Sequence, residues 1–227
     1  MEVRLLQYTP DPERTVAMAA RLCYSRAGVS EIAERIDEAE ARRLIRSLFE
    51  MGHLSPFEHV SFFFGVSGVS RALSHQLVRH RIASYSQKSQ RYVSEAGFEY
   101  VLPPTIALRP DARELFENQM KMLREGYAML VGLGIPKEDA RYLLPNACTT
   151  QLVCTFNARS LLNFFKLRCC ERAQWEIRDL AREMLRLVRE VAPTIFEKAG
   201  PACVSEGMCR EGRMSCGRAG IAEGGRS

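Results

Sequence analysis

A change of hydrophobic period along the second half of the chain limits the folds that it can adopt more than any other feature. Cys148, Leu152 and Phe156 lie on one side of an alternating pattern, which is the period of a β-strand. Residues 111–133 and about 172–191 instead place apolar side chains at steps of three and four, which predicts two long helices. The apolar stripe of the first helix suits packing inside the chain or against a partner subunit, and periodicity does not distinguish the two.

Shorter patterns predict the remaining elements. In the first part of the chain we expect a strand at residues 2–8, a helix from Pro12 capped by Asp11, an irregular stretch at 25–36, a helix opened by Asp37 and a buried strand carrying Phe62 and Phe64. A helix over 70–80 capped by Ser70 and a polar loop from Ser84 to Arg91 follow. Beyond them we expect a strand at 98–102, a short helix from Pro136 and a helix capped by Asn157. In the helix over 70–80, Gln76, Arg79 and His80 would share one face, because residues three and four apart lie on the same side of a helix.

Length and composition predict a globular protein. At 227 residues the chain is expected to form one domain, and its hydrophobic content of 46% suffices for a core, with Met120, Met122 and Met129 as core filler. The net charge of +5 is too small for a dedicated nucleic-acid-binding protein. No apolar run is long enough to cross a membrane, and the first 20 residues lack a signal-peptide pattern, so we expect a cytoplasmic protein.

The eight cysteines allow more than one interpretation. Cys148 and Cys154 fall within the alternating pattern and are expected to act as small buried hydrophobic residues. Three others lie in a glycine-rich tail, residues 200–227, which we expect to be mobile: Cys203, Cys209 and Cys216. Their spacing is too wide for a standard zinc knuckle, and although Cys169 or Cys170 would complete four ligands, only their number suggests it. The sequence therefore predicts no metal site.

Two long windows of the sequence contain no carboxylate. The first runs from His59 to Ser94 and the second from Ala140 to Cys170, in a chain with 27 acidic and 32 basic residues. Four cations, a histidine and four hydroxyl groups fall within the thirteen residues 79–91. Guanidinium groups bind phosphate oxygens in bidentate fashion, so this clustering predicts a site for a multiply anionic ligand. A solvated basic face is the plainer alternative, although such a face normally mixes both signs of charge.

Motifs in and around these windows resemble those of the flavin-dependent thymidylate synthases. The triplet Arg79-His80-Arg81 is followed after seven residues by Ser89, as in the signature of that family, and Arg91 falls where the family has a further arginine. The segment 53–59 is similar to the family's upstream G-H-x-[ST]-P-F-E-H motif. Residues 157–161, Asn163, 167–168 and 173–177 are similar to its downstream segment, so the resemblance spans roughly residues 50 to 180 in the family's order.

The resemblance implies a fold and a reaction. The fold would be α/β, a single domain at residues 1–199 with a central, mostly antiparallel sheet flanked by long helices. The enzyme would be a FAD-dependent thymidylate synthase, both methyltransferase and oxidoreductase, that converts dUMP to dTMP. Methylenetetrahydrofolate would supply the carbon, and FAD reduced by NADPH would supply the hydride. The implied partners are dUMP, folate and NADPH, with no nucleic acid and no membrane, in a homotetramer whose active sites lie at subunit interfaces.

The resemblance also assigns residues to roles. Catalytic roles fall to His53, Ser89 and Arg168, the last matching an arginine that pairs with the uracil ring and would favour its ionisation. The matches to FAD contacts are Ser55, Arg79, His80, Arg81, Gln87, Asn157, Arg159 and Asn163. The matches to dUMP contacts are Gln76, Arg79, Gln87, Ser89, Gln90, Arg91, Arg141 and Arg168. The chain departs from the family at two positions, with Gln87 where several relatives have glutamate and Arg172 where some have histidine.

Two other functions would also suit the basic windows. An RNA- or nucleotide-binding module would bind nucleic acid with a strong salt dependence, but only Tyr85 and Tyr92 stand near the arginines for stacking on bases. A flavoprotein acting on another nucleotide or pyrimidine would need the same basic residues. The first alternative predicts a colourless protein, and the second predicts a yellow one.

Overall fold

The computed structural model describes residues 1–26 and 28–219, and for residues 33 and 34 it describes the backbone only. Strands β1 to β4 span Glu2–Tyr8, Ser61–Ser70, Ser84–Gln87 and Thr149–Asn157. Helices α1 to α10 span Pro12–Leu22, Val29–Arg35, Glu38–Glu50, Arg71–Leu77, Pro104–Ala107, Pro110–Gly132, Lys137–Ala140, Ala158–Arg168, Trp175–Val191 and Ala202–Ser205. Short 3-10 helices lie at Ser55–His59, Arg141–Leu143 and Gly212–Met214.

The strands form one antiparallel sheet in the order β1-β2-β4-β3. Phe62 and Phe64 of β2 are fully buried, and in β4 the buried side chains alternate along the strand as predicted, with Leu152, Cys154 and Phe156 all buried. Alternation follows from the pleat, which sends successive side chains to opposite faces. The predicted α/β class with an antiparallel sheet is therefore confirmed.

The chain divides into two compact units, and the first comprises residues 1–2, 66–79 and 85–153. The apolar stripe predicted for α6 packs inside this unit, against a cluster built from Phe98, Met120 and Cys148. A second row on α6 recurs every seven residues and is 62–67% exposed: Leu115, Met122 and Met129. The prediction that Met122 and Met129 fill the core is therefore wrong, because both side chains stand in solvent on the other side of the helix.

The second unit comprises residues 3–65, 80–84 and residue 154 onward. Helices α1, α2 and α3 meet at a cluster of Ala17, Ile32, Ile36 and Ala41. Helix α9 buries the stripe predicted for it, and α10 lies in the predicted tail. The single domain at residues 1–199 and the mobility of the tail remain predictions, and residues 220–227 lie outside the described part of the chain. Within the described residues, no helix is both long enough and apolar enough to span a membrane.

Helix α4 is shorter than predicted. Ser70 caps it as expected, because its Oγ accepts a hydrogen bond from the backbone N–H of Leu73 at 3.0 Å. The helix ends at Leu77, whose carbonyl accepts a hydrogen bond from the hydroxyl of Tyr85 at 3.0 Å. Arg79 and His80 follow the helix, so the prediction that they share a helical face with Gln76 is wrong.

Two predictions about strands are also wrong. The polar residues Ser84–Gln87 form β3 and not a loop, and Lys88 continues the pairing by donating its N–H to the carbonyl of Gln151. Residues 98–102 do not form a strand, and only Tyr100 makes an isolated bridge, to Cys148. The two prolines that follow, at 103 and 104, carry no N–H with which a ladder could continue.

The N-terminal helices differ from prediction in two places. Residues 25–36 are not irregular throughout, because Val29–Arg35 form α2. Asp11 precedes α1 with a left-handed φ of 44° and makes no side-chain hydrogen bond to the helix, so the predicted cap is wrong. Asp37 does cap α3, since its Oδ1 accepts from the N–H of Glu40 at 2.8 Å.

Candidate active site

A cavity of about 1040 Å³ in the second unit contains three of the predicted FAD contacts, Asn157, Arg159 and Asn163. Strand β4 ends at Asn157, whose Oδ1 accepts from the N–H of Ser160 at 2.8 Å and so starts α8, as predicted. One turn of helix then separates Arg159 from Asn163, and both line the cavity. The remaining wall includes apolar side chains of Phe49, Leu54, Ile82 and Leu162.

Ion pairs surround this cavity. Nη1 of Arg159 lies 2.5 Å from Oε1 of Glu58, and Nε of Arg46 lies 3.1 Å from Oε2 of Glu197. Lys166 of α8 pairs with Glu206, which follows α10. The hydrogen bond between Lys166 and Glu206, followed by the charges of Lys166 and Arg210, holds the pKa of the Glu206 carboxyl below its ordinary value. A multiply anionic ligand entering the cavity would therefore meet cations that carboxylates already hold in place.

One hydrogen bond connects His80 to Ser160 of α8, and a second connects Ser160 to Ile82. Its Nε2 lies 2.7 Å from Oγ of Ser160, and that hydroxyl donates to the carbonyl of Ile82 at 2.5 Å. A carbonyl only accepts, so the single hydroxyl hydrogen of Ser160 goes to Ile82, and Nε2 of His80 must donate to the same oxygen. The imidazole also lies 5.5 Å from the rings of Phe156 and Phe164, measured between centroids.

The surroundings of His80 keep its imidazole neutral. Burial among these rings lowers the pKa of His80 from its ordinary value of 6.5, and the positive charge of Arg168 lowers it further. A hydrogen bond with the backbone of Ser160 opposes this shift in part. The predicted catalytic residue Arg168 is half-buried at the end of α8.

The remaining site residues predicted in the second unit are His53, Ser55 and Arg81. Nδ1 of the half-buried His53 lies 3.1 Å from the hydroxyl of Tyr24. Ser55 is exposed and begins the 3-10 helix between Leu54 and Glu58, two residues that line the cavity. Arg81 is exposed, and Arg172 is exposed beyond α8.

In the first unit, the side-chain amide of Gln87 contacts α4 and β4, and that of Gln90 contacts the residue before β4. The amide nitrogen of Gln87 donates to Oγ of Ser74 at 3.0 Å and to Oγ1 of Thr150 at 3.1 Å. That of Gln90 lies 3.9 Å from Sγ of Cys148. The hydroxyl of Ser74 already donates to the carbonyl of Arg71, so it accepts from Gln87, and a carboxylate at this position would not reproduce that bond.

Arg91 and Arg141 converge on one glutamate of α7. Nη2 and Nε of Arg91 lie 2.8 and 2.9 Å from Oε2 of Glu138, and Nε of Arg141 donates to the backbone carbonyl of Glu138 at 3.0 Å. Ser89 accepts the N–H of Arg91 at 3.2 Å, which shapes this turn. Gln76 is half-buried on α4, and Arg79 is exposed after it.

The structure thus divides the predicted site residues between the two units. The first unit contains Gln76, Arg79, Gln87, Ser89, Gln90, Arg91 and Arg141, and the second contains His53, Ser55, His80, Arg81, Asn157, Arg159, Asn163 and Arg168. Sequence reasoning did not assign roles to Glu58, Ser160, Glu138 or Glu206. Glu58 and Ser160 lie inside the family-like segments and could have been found there, whereas Glu138 and Glu206 lie outside every motif.

Comparison with known proteins agrees with these motifs. The family model described as Thymidylate synthase complementing protein matches residues 4–194. A flavin-dependent thymidylate synthase of Geobacter sulfurreducens is 54% identical over 221 residues, which are 96% of this chain and 95% of that protein. Proteins of the same name from Clostridium tetani and Pyrococcus furiosus are 49% and 41% identical over 96% and 93% of this chain, and over 94% and 90% of their own lengths. The predicted resemblance is confirmed, and the chain belongs to the Thy1 family of thymidylate synthase complementing proteins.

Proposed function

We propose that this chain is a flavin-dependent thymidylate synthase. It converts dUMP to dTMP with methylenetetrahydrofolate as carbon donor and with FAD, reduced by NADPH, as the source of the hydride. The observation that carries the proposal is the cavity lined by Asn157, Arg159 and Asn163, because three residues matched to FAD contacts by sequence meet at one surface. The name of the relatives above describes the same activity.

The residues of this cavity fit FAD in size and chemistry. Its volume of about 1040 Å³ stands at the upper end of the range for ligand sites, as a dinucleotide requires. Phe49, Leu54 and Leu162 offer apolar surface to a ring system, and Arg159 and Lys166 offer cations to a diphosphate. FAD bound there would supply the redox chemistry, and the protein would orient it.

His80 would serve this site as a neutral hydrogen-bonding group. Because its pKa is lowered, the imidazole favours its neutral form and adds no second positive charge near Arg168. The hydrogen bond between its Nε2 and Oγ of Ser160 fixes the orientation of the ring. A fixed, neutral imidazole positions a ligand without needing to lose a proton first. Arg168, charged at every physiological pH, would face the uracil ring and favour its ionised form.

The dUMP phosphate would bind at Arg91 and Arg141. Glu138 now accepts from both arginines, through its carboxylate and its carbonyl, so the two guanidinium groups already converge on an oxygen-rich group. Nε and Nη2 of Arg91 both contact one oxygen of the carboxylate, and a phosphate that replaced it would offer two oxygens to the same guanidinium edge. Gln87, Ser89 and Gln90 would contact the rest of the nucleotide, and His53 and Ser89 would act in catalysis.

We further propose a cytoplasmic homotetramer with active sites at subunit interfaces. The exposed row on α6, formed by Leu115, Met122 and Met129, supports an interface because large apolar side chains at heptad spacing suit helix pairing. In such an assembly, residues of one copy can complete a site of another.

A visible spectrum of the purified protein tests the proposal. We expect the bands of oxidised FAD, bleached by NADPH under anaerobic conditions, and formation of dTMP from dUMP only when methylenetetrahydrofolate is present. A protein that remains colourless after incubation with FAD contradicts the proposal. A yellow protein that reduces FAD but makes no dTMP points to a flavoprotein acting on another substrate.

A further inference from the structure

Five of the eight cysteines line one small cavity of about 60 Å³ in the second unit. Cys169 and Cys170 come from the end of α8, and three come from the segment after α9: Cys203, Cys209 and Cys216. All five thiols are free. The proposed synthase reaction uses none of them, so their convergence needs a separate explanation.

The segment that carries three of these cysteines has no core of its own. From residue 201 to residue 219 no side chain is fully buried, and α10, its α-helix, has only four residues. Gly207 and Gly217 adopt left-handed φ angles of 70° and 78° close to Cys209 and Cys216, so tight turns accompany these two thiols. Short segments that lack a hydrophobic core are normally stabilised by disulfides or by a metal ion.

The number and kind of groups favour a metal. Four thiolates in tetrahedral arrangement are typical of a structural zinc site. Two cysteines follow the end of α8, and the first of them, Cys169, is buried. Cys170 is half-buried and is the better ligand.

We propose that Cys170, Cys203, Cys209 and Cys216 bind one Zn²⁺ ion and tie the C-terminal segment to the end of α8. Binding releases one proton from each thiol, so that Zn²⁺ and four thiols give a tetrathiolate of charge −2 and four protons. Lys166, Arg210 and Arg218 line the same cavity together with Glu171 and Glu211, and each of the three cations pairs with a glutamate, Glu206 or Glu171. In the described part of the chain no three His, Cys, Asp or Glu side chains are already arranged to hold a metal ion, so the proposed site requires the thiols to move together.

The wide spacing of the tail cysteines does not oppose such a site. Spacing rules for zinc knuckles apply when all ligands come from one short segment, whereas here the fourth ligand comes from α8. The ion would also hold a wall of the larger cavity, because Ser205 and Glu206 lie between Cys203 and Cys209 and line that cavity. This last consequence rests on the proposed flavin site, but the metal site itself does not.

Metal analysis of the full-length protein, purified without chelators, tests the inference. We expect about one Zn²⁺ per chain by mass spectrometry of the metal content and of the native protein. Cys209→Ser and Cys216→Ser should lose most of this zinc, and Cys169→Ser, the matched control on α8, should retain it. The wild type reconstituted with Co²⁺ should show the absorption of a tetrahedral thiolate site, and this test needs no variant that might misfold.

Several outcomes would overturn the inference. One is a wild-type protein that binds no zinc even when its reduced form is incubated anaerobically with Zn²⁺. Another is the presence of iron with acid-labile sulfide in place of zinc. A third is the detection of disulfides among these cysteines by mass spectrometry of the freshly purified protein. Loss of zinc in Cys169→Ser with retention in Cys170→Ser would overturn the choice of ligands. Because FAD plays no part in these measurements, the metal site and the proposed synthase activity can fail independently.

Discussion

Arg159→Ala should separate cofactor binding from stability. The guanidinium of Arg159 pairs with Glu58 at 2.5 Å, but the two side chains are 52% and 48% exposed. Ion pairs this exposed contribute at most about 1 kcal/mol, because water screens them. Loss of Arg159 should therefore lower the melting temperature by no more than about 2–4 °C for a chain of this length.

The effect on FAD should be larger. We propose that Arg159 exchanges Glu58 for a phosphate oxygen of FAD, and a hydrogen bond to a charged group contributes about 1.5–3 kcal/mol. The dissociation constant of FAD should therefore rise about 10- to 150-fold. Quenching of flavin fluorescence, titrated against the FAD-free protein, measures that constant, and differential scanning fluorimetry measures the melting temperature.

Arg113→Ala is the matched control for this experiment. Arg113 pairs with Glu117 on α6 at 2.7 Å, with exposure similar to that of the Arg159 pair, and it does not line the cavity. It should reproduce the small loss of stability and leave FAD binding unchanged. A change of less than about threefold in the FAD constant of Arg159→Ala, or an equal change in the control, would refute the reasoning.

Three further substitutions test other parts of the site. Arg91→Lys should weaken dUMP binding about tenfold in a calorimetric titration and spare FAD, because lysine lacks the fork that now holds Glu138; equal loss of both ligands contradicts this. His80→Gln should flatten the pH dependence of the free energy of unfolding in urea near and below pH 6.5. The pKa of His80 is lowered in the folded state, so the unfolded state takes up the proton first as the pH falls. The wild-type protein should therefore lose stability over this range. An unchanged slope would show that His80 is not the group responsible. Ser160→Ala removes the partner of both His80 and the carbonyl of Ile82, and should cost about 1–3 kcal/mol in the same assay, whereas an unchanged midpoint would contradict the assigned hydrogen bonds.

Helix starts could be predicted from sequence because their cause is local. Ser70, Asp37 and Asn157 each accept a hydrogen bond from the N–H three residues ahead, as predicted. All the atoms involved lie within one turn of helix, so residue types are informative there, although Asp11 adopts a left-handed φ and does not cap α1. Helix α2 was missed although its signal is present, since Ile32 and Ile36 stand four residues apart and are both buried.

The elements that failed prediction depend on distant residues. Strand β3 consists of polar residues and lies at an edge of the sheet, so pairing with β4, and not an apolar pattern, makes it a strand. The end of α4 is likewise set by the hydroxyl of Tyr85, eight residues beyond the carbonyl that it satisfies. Nothing in the apolar period of residues 70–80 reports either contact.

The acid-free windows show the same limit for charge. Cations of both windows are paired by carboxylates from outside them: Arg91 by Glu138, Arg159 by Glu58, Lys166 by Glu206 and Lys88 by Glu95. Sequence could therefore predict the cations but not their partners, and exposure decides what each pair can do. Glu95 is only 6% exposed, so its bond to Lys88 is structural, because a buried carboxylate left unpaired is costly. The carboxylates paired with Arg91 and Arg159 are about half exposed, so the exchange of either carboxylate for a ligand phosphate costs little.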